Sequence, residues 1–170
     1  METIKDLDAS QAAKKLKDMV EDIRVCMFFT CQRDQQEQGR PMSVAKTDDQ
    51  GNIRFLADKN SAKIEAIQED NKVHLVFSHP GKEMYLDVYG DASLSTDQEE
   101  IEAAWSSLAK AWFPEGKTDP NICVIKIKAQ EGKYWDTQHG KMLEFIKVIS
   151  AAITGTKQGD GVRGAITLTN

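Results

Sequence analysis

From Asp8 to Ile23 apolar side chains recur at helical spacing: Ala12, Leu16, Met19, Val20 and Ile23 share one stripe, and Lys14, Lys15, Lys17, Asp18, Glu21 and Asp22 lie largely off it. The pattern predicts a helix with Asp8 or Ser10 as its N-cap. At Arg24 the period changes. Arg24 to Cys31 is a continuous apolar run with Val and Phe, the pattern of a strand buried on both faces. Gln32 to Gly39 is polar and reads as a loop, and Arg40 to Lys46 as a second strand. Asp48-Asp49-Gln50-Gly51-Asn52 has turn composition and joins it in a hairpin to a third strand, Ile53 to Ala57.

A helix is expected over Ser61 to Glu69, with Ile64 and Ile67 inward, and a strand over Lys72 to Ser78, where Val73, Leu75 and Phe77 alternate with His74, Val76 and Ser78. After the Pro80-Gly81 break, Glu83 to Leu94 reads as a long strand that Gly90 interrupts, as a bulge or barrel bend does. Ser95-Thr96-Asp97 opens a helix whose first turn is acidic and whose apolar face runs through Ile101, Ala104, Trp105, Leu108 and Trp112 to Pro114. Ile122 to Ile127 is a further strand, extended through Glu131 to Trp135. Met142 to Ile153 forms an apolar helical patch, followed by a Gly-rich segment and a short β-like end. Strands outnumber helices and short turns join several of them. This order predicts a mainly antiparallel barrel with helices outside it, not a doubly wound parallel sheet. It divides the chain into a barrel domain at 1–136 and an extension at 137–170.

Composition narrows the function classes. The chain has 170 residues, 40% of them apolar, which suits one ordinary core. A net charge of −5 argues against a surface made for nucleic acid or anionic lipid. No signal peptide is visible at the start and no membrane-length apolar run occurs, so a cytoplasmic setting is expected. Cys26, Cys31 and Cys123 form no CxxC pattern and read as reduced, buried thiols. His74, His79 and His139 are scattered and suggest no metal site; His74 reads as a surface or interface residue. No catalytic residue is identifiable.

Candidate chemistry concentrates between Ile53 and Lys63. There a strand runs through a polar turn into a helix whose first turn holds Ser61 and Lys63. Unpaired amides at a helix start favour an anion, Ser61 adds a donor, Lys63 adds charge, and Arg40 on a neighbouring strand offers a bidentate grip. An ordinary N-cap at Asn60 or Ser61 with a solvated Lys63 accounts for the local pattern equally well.

Several segments occur together in the order of one family: Gly39-Arg40-Pro41-Met42-Ser43, Phe55 to Lys63, Val73 to Phe77, Tyr85 to Ala92, Trp105, Ala111-Trp112-Phe113-Pro114-Glu115-Gly116 and Tyr134-Trp135-Asp136. Over about Leu7 to Trp135 the chain resembles the general stress protein branch of the pyridoxamine 5'-phosphate oxidase-like, FMN-binding split barrels. The resemblance implies an antiparallel split β-barrel of Greek-key type and a homodimer with the flavin site at the subunit interface. Arg40, Met42, Ser43 and Val44 would line the flavin, Ala57 and Asp58 would sit beside its ring or ribityl chain, and Ser61 and Lys63 would hold its phosphate. Trp112 and Trp135 would contribute contacts, from either subunit. Where this chain has Ala57, family members often carry Thr, so one hydroxyl contact is missing. FMN is expected over FAD, because a phosphate grip is present without a dinucleotide fingerprint. The segment after Trp135 lacks the Arg-Leu-x-Pro ending of the named oxidases, which argues against pyridoxamine phosphate oxidation. A flavin-dependent oxidoreductase of unassigned substrate, a flavin-buffering or sensing protein, and an apo interaction module are the three readings.

Overall fold

The structure is a computed structural model that describes residues 9–138, 141–145 and 164–167. Helix α1 (Ala9–Ile23) buries Ala12, Ala13, Leu16, Met19 and Val20 on one side, as its period requires. Ser10 lies inside the helix rather than capping it. The helix stops because Arg24 takes a left-handed conformation (φ 67°) while its amide bonds to the Val20 carbonyl at 2.8 Å. Strand β1 (Val25–Thr30) follows, then β2 (Gln38–Ser43), β3 (Lys46–Thr47), β4 (Asn52–Asp58), α2 (Ala62–Glu69), β5 (Lys72–His79), β6 (Met84–Ser95) and α3 (Gln98–Ala104). The long β7 (Ile122–Gln138) and the short β8 (Lys141–Phe145) and β9 (Gly164–Thr167) complete the described elements.

All pairings are antiparallel, in the order β2-β1-β5-β6-β7-β4-β3. Strands β2 and β3 stand at opposite ends of that order, yet only Val44 and Ala45 separate them in sequence. The sheet therefore curls until its two ends meet. The Val44 amide bonds to the Arg24 carbonyl and the Ala45 amide to the Arg54 carbonyl, both at 2.8 Å. The expected single strand from Arg40 to Lys46 is thus two short strands, one on each side of the seam. Inside the curl, Phe28, Ile53, Phe55, Leu75, Phe77, Leu86, Val88 and Ile127 make one core, with α1 and α2 packed on it. A second cluster outside β4 and β7 (Ile101, Ala104, Phe113, Ile122 and Val124) seats α3.

Three further expectations about the elements are corrected. β1 is not buried on both faces: Cys26, Phe28 and Thr30 are buried, whereas Val25 and Met27 are 48% and 40% exposed. The helix expected through Trp112 ends at Ala104. Ser106 is extended, a single 3-10 turn covers Ser107–Ala111, and Leu108 and Trp112 face solvent. Adjacent Ser106 and Ser107 are poor helix-interior residues, so the apolar period does not carry the helix through them. The start of the patch at Met142 is a strand, because β7 runs past the end of β4 and leaves an edge that β8 and β9 pair with. The remainder of that patch, from Ile146, lies outside the described residues, as does His139.

Cys26 and Cys123 are buried, and burial pushes the Cys26 thiol up to about 12, so it stays protonated. Cys31, just past β1, is exposed, against expectation.

Gly90 does what its place in the sequence suggests. The β6–β7 register shifts at Tyr89/Gly90, and a Cβ on Gly90 would lie 2.7 Å from the Lys128 carbonyl oxygen and 2.8 Å from Ile127 Cγ2. Gly90→Val should cost about 1–3 kcal/mol in urea denaturation, because a backbone atom cannot move aside cheaply. Gly81→Ala, whose Cβ would meet nothing nearer than 3.5 Å, should change stability by less than about 0.5 kcal/mol. Asp48 supplies a second test. It accepts bonds from the Asn52 amide (3.0 Å) and Arg54 Nη1 (2.9 Å), and Arg54 Nε reaches Glu100 at 3.2 Å, tying the hairpin to α3. Burial pushes the Asp48 carboxyl up, but the bonds from Asn52 and Arg54 outweigh it and hold it below the usual carboxylate range. A depressed carboxylate contributes stability above its unfolded value, and that contribution is lost as pH falls. The stability gap between wild type and Asp48→Asn should therefore shrink from about pH 5 to about pH 3.

Candidate functional site

The corner where β4 gives way to α2 is built by a short run of local bonds. Asp58 Oδ1 accepts from the Asn60 amide at 2.8 Å, and its carbonyl accepts from the Ser61 amide (3.0 Å) and hydroxyl (2.7 Å). The Lys59 amide bonds to the Asn121 carbonyl at 2.8 Å and fastens the turn to the start of β7. Ser61 sits at the N-cap position in extended conformation, but its hydroxyl turns back to Asp58 and makes no cap bond. The first turn of α2 therefore keeps its polarity for something outside the helix.

Two cations converge on that turn from different elements. Lys63 Nζ donates to Ser61 Oγ at 3.2 Å. Arg40 pairs with Phe28 in the β1–β2 register, which puts it on the core-facing side of β2, and its Nη1 donates to Thr30 Oγ1 at 2.9 Å. Both side chains are half-buried, and among the described residues neither makes a salt bridge. Burial, and then the charge of Arg40, push the Lys63 ammonium below its ordinary value, with Asp58 pulling the other way; burial alone lowers Arg40. Two positive groups so placed repel each other, and together they suit a dianion.

The remaining expected site residues divide by position. Met42 and Val44 are half-buried and pack against the barrel core, next along from Arg40. Ser43 is exposed on the opposite side of β2, in register with Val25. The Ala57 side chain is buried in the core, so only its backbone is offered to a ligand. Asp58 is at the corner but engaged in the turn. Trp135 lies on β7 opposite Tyr85, with three strands between it and β2 in the sheet order, and Trp112 stands 70% exposed beyond α3. One chain thus brings together Arg40, Asp58, Ser61 and Lys63, with Met42 and Val44 adjoining, and leaves both tryptophans elsewhere. Thr30, which orients Arg40, is not marked in the sequence; it ends an apolar run, and the β1–β2 register sets it opposite Gln38, one step along the same face from Arg40.

A cleft of about 780 Å³ lies elsewhere, between α1 and the β5–β6 turn, lined by Lys15, Asp22, Lys82, Met84 and Asp136 among others. Size does not make it the better anion site. Its lysines are already paired, Lys15 with Asp136 and Lys82 with Asp22 (2.6 Å), and acidic groups outnumber basic ones along its walls.

A curled antiparallel sheet closed at a seam, with helices packed on it, defines a split β-barrel, and this one carries a cationic corner over a helix start. The model of the pyridoxamine 5'-phosphate oxidase like family matches residues 11–159, and the chain belongs to that family. It is 27% identical over 123 residues to general stress protein 26 of Bacillus subtilis, covering 69% of this chain and 84% of that protein. A crystal structure of a general stress protein 26 from Jannaschia sp. CCS1 is 31% identical with a TM-score of 0.64, covering 75% of this chain and 79% of that one. The general stress FMN/FAD binding protein from Xanthomonas citri shares the fold, with a TM-score of 0.64 and 24% identity over 88% of this chain and 97% of its own.

If the corner is set up against mutual repulsion, removing one charge should not harm the empty protein. Lys63→Met is expected to leave stability to urea unchanged, or to raise it by a few tenths of a kcal/mol. A loss above about 1 kcal/mol would mark Lys63 as a structural residue instead.

Proposed function

We propose that the chain binds FMN as a homodimer, its phosphate at the Arg40–Lys63 corner and its ring in a groove completed by the second subunit. The observation that carries this reading is the pair of half-buried cations that meet at a helix start without a carboxylate in salt-bridge range among the described residues. The donor set fits a phosphate dianion: a guanidinium, an ammonium and first-turn amides, joined by the Ser61 hydroxyl once it turns from the Asp58 carbonyl. Arg40, Ser61 and Lys63 would hold the phosphate. Met42, Ser43 and Val44 would lie along the ring, and the backbone at Ala57 and Asp58 would face the ribityl chain. Trp112 and Trp135, remote from the corner in one chain, would reach the ring from the other. The FMN/FAD binding protein of Xanthomonas citri supports a flavin as the ligand.

Support for pairing comes from the outer face of the sheet. Val25, Met27, Tyr85 and Tyr89 are each 40–48% exposed there, although strands facing water ordinarily carry polar side chains on that side. Among the described residues no helix is long and apolar enough to cross a membrane; we place the protein in the cytoplasm, where its three free cysteines would stay reduced.

Bound flavin supplies hydride or single-electron transfer to a small acceptor, and on this reading the protein is a flavin-dependent oxidoreductase. A flavin-holding role without turnover has its own support: Asp58, the carboxylate at the corner, is committed to the Asn60 turn and is not poised as an acid or base. Reduction by NADH or NADPH, then reoxidation by candidate acceptors, separates the two.

FMN titration followed by flavin fluorescence tests the site. Arg40→Ala and Lys63→Ala should each weaken FMN about 10- to 100-fold, since a hydrogen bond to a charged group contributes about 1.5–3 kcal/mol. FAD, titrated alongside, should bind less tightly. Unchanged FMN affinity in both variants would refute the phosphate assignment.

A further inference from the structure

The outer face of the sheet carries a row of rings. Gly39, Phe29, His74, Tyr89 and Glu131 lie opposite one another in register across β2, β1, β5, β6 and β7. The imidazole of His74 stacks on Tyr89, centroids 4.2 Å apart and planes within 3°, and on Phe29 at 5.4 Å and 26°. Phe29 in turn lies over bare backbone: a Cβ on Gly39 would stand 2.4 Å from its Cε1. The imidazole is thus clamped from both faces, and its in-plane nitrogens have fixed directions.

Both nitrogens point at carboxylates. Nε2 is hydrogen-bonded to Asp87 Oδ1, and Nδ1 lies 3.6 Å from Glu37 Oε1. The charged or titratable groups around the ring are Glu37 from the loop before β2, Asp87 and Tyr89 from β6, and Glu131 and Lys133 from β7, the last opposite Asp87. Burial, then Asp87, Glu37 and Glu131, push the Tyr89 phenol up, so it stays neutral across the range in which an imidazole titrates. A neutral imidazole has one N–H and can satisfy one carboxylate, leaving the other facing a lone pair. An imidazolium satisfies both.

In an isolated chain water makes up this difference. It cannot do so once the face is covered. The cover that fits is a second copy: the face is apolar at Val25, Met27, Tyr85 and Tyr89, and it carries acids (Glu37, Asp87, Glu131) and bases (His74, Lys133) together, so that it can complement itself about a twofold axis. We infer that self-association through this face takes up a proton at His74, so that the dimer tightens as pH falls through the imidazole range and loosens as it rises. The inference rests on the homodimer proposed above and adds its control. The physical cause is desolvation: docking strips water from Asp87 and Glu37, and an unpaired carboxylate so treated is costly.

Sedimentation equilibrium of the full chain between pH 5.5 and 8.5, at constant ionic strength, tests it. The dissociation constant should rise about tenfold or more across that range, as linkage to one imidazole per subunit allows. His74→Gln and His74→Phe, checked for native fold by circular dichroism, should flatten the dependence. A wild-type dimer whose affinity ignores pH, or variants that keep the wild-type slope, would overturn the inference and leave the flavin site standing. A chain that is monomeric throughout would overturn both the inference and the homodimer. FMN titration of the same samples reports separately on the Arg40–Lys63 corner.

Discussion

Strands β2 and β3 are consecutive in the chain and lie at opposite ends of the sheet, and two residues, Val44 and Ala45, must bridge them. A flat sheet cannot meet that condition, since neighbouring strands sit about 4.8 Å apart and the two ends would be far beyond the reach of two residues. Curling is forced, and the Val44 and Ala45 amides, bonded to Arg24 and Arg54 on the two edges, record where the curl closes. Closure sets the rest. It makes an inside for Phe28, Phe55 and Phe77, and it turns Arg40 toward the barrel end that α2 covers.

The charge arrangement at that end runs against the chain as a whole. A protein of net charge −5 has carboxylates enough to neutralise two cations, and elsewhere it does so: Arg54 with Asp48 and Glu100, Lys82 with Asp22, Lys72 with Asp91. At the corner, Asp58 spends its carboxylate on the turn and Ser61 spends its hydroxyl on a carbonyl. Arg40 and Lys63 are left to face each other, each partly stripped of water. Such an arrangement gives little to the empty fold and becomes favourable when an anion enters.

The outer face of the sheet makes a second use of the same strands. Residues alternate along β1 and β6, so each strand that sends Phe28 or Leu86 to the core sends Met27 or Tyr85 outward. The outward set mixes large apolar side chains (Val25, Met27, Tyr85, Tyr89) with charged ones such as Asp87. Family membership accounts for the barrel; it does not by itself say why His74 is clamped between two rings with a carboxylate at each nitrogen.

Local order was legible in the residues. The α1 stripe, the Asp48–Asn52 hairpin, the alternation of Val73, Leu75 and Phe77, and the Gly90 irregularity all follow from periods and turn chemistry that act within a few residues. The anion corner was half legible, because Ser61 and Lys63 are local to one turn and the family pattern named Arg40 beside them. What the chain alone withheld depends on distant partners. An apolar run such as Val25 to Phe29 looks the same whether one face or both are buried, and the Leu108–Trp112 period did not show that Ser106 and Ser107 end the helix. The Thr30–Arg40 bond and the ring row through His74 arise from strand register alone. Register is fixed by the closure of the whole sheet, a condition that no short stretch of sequence contains.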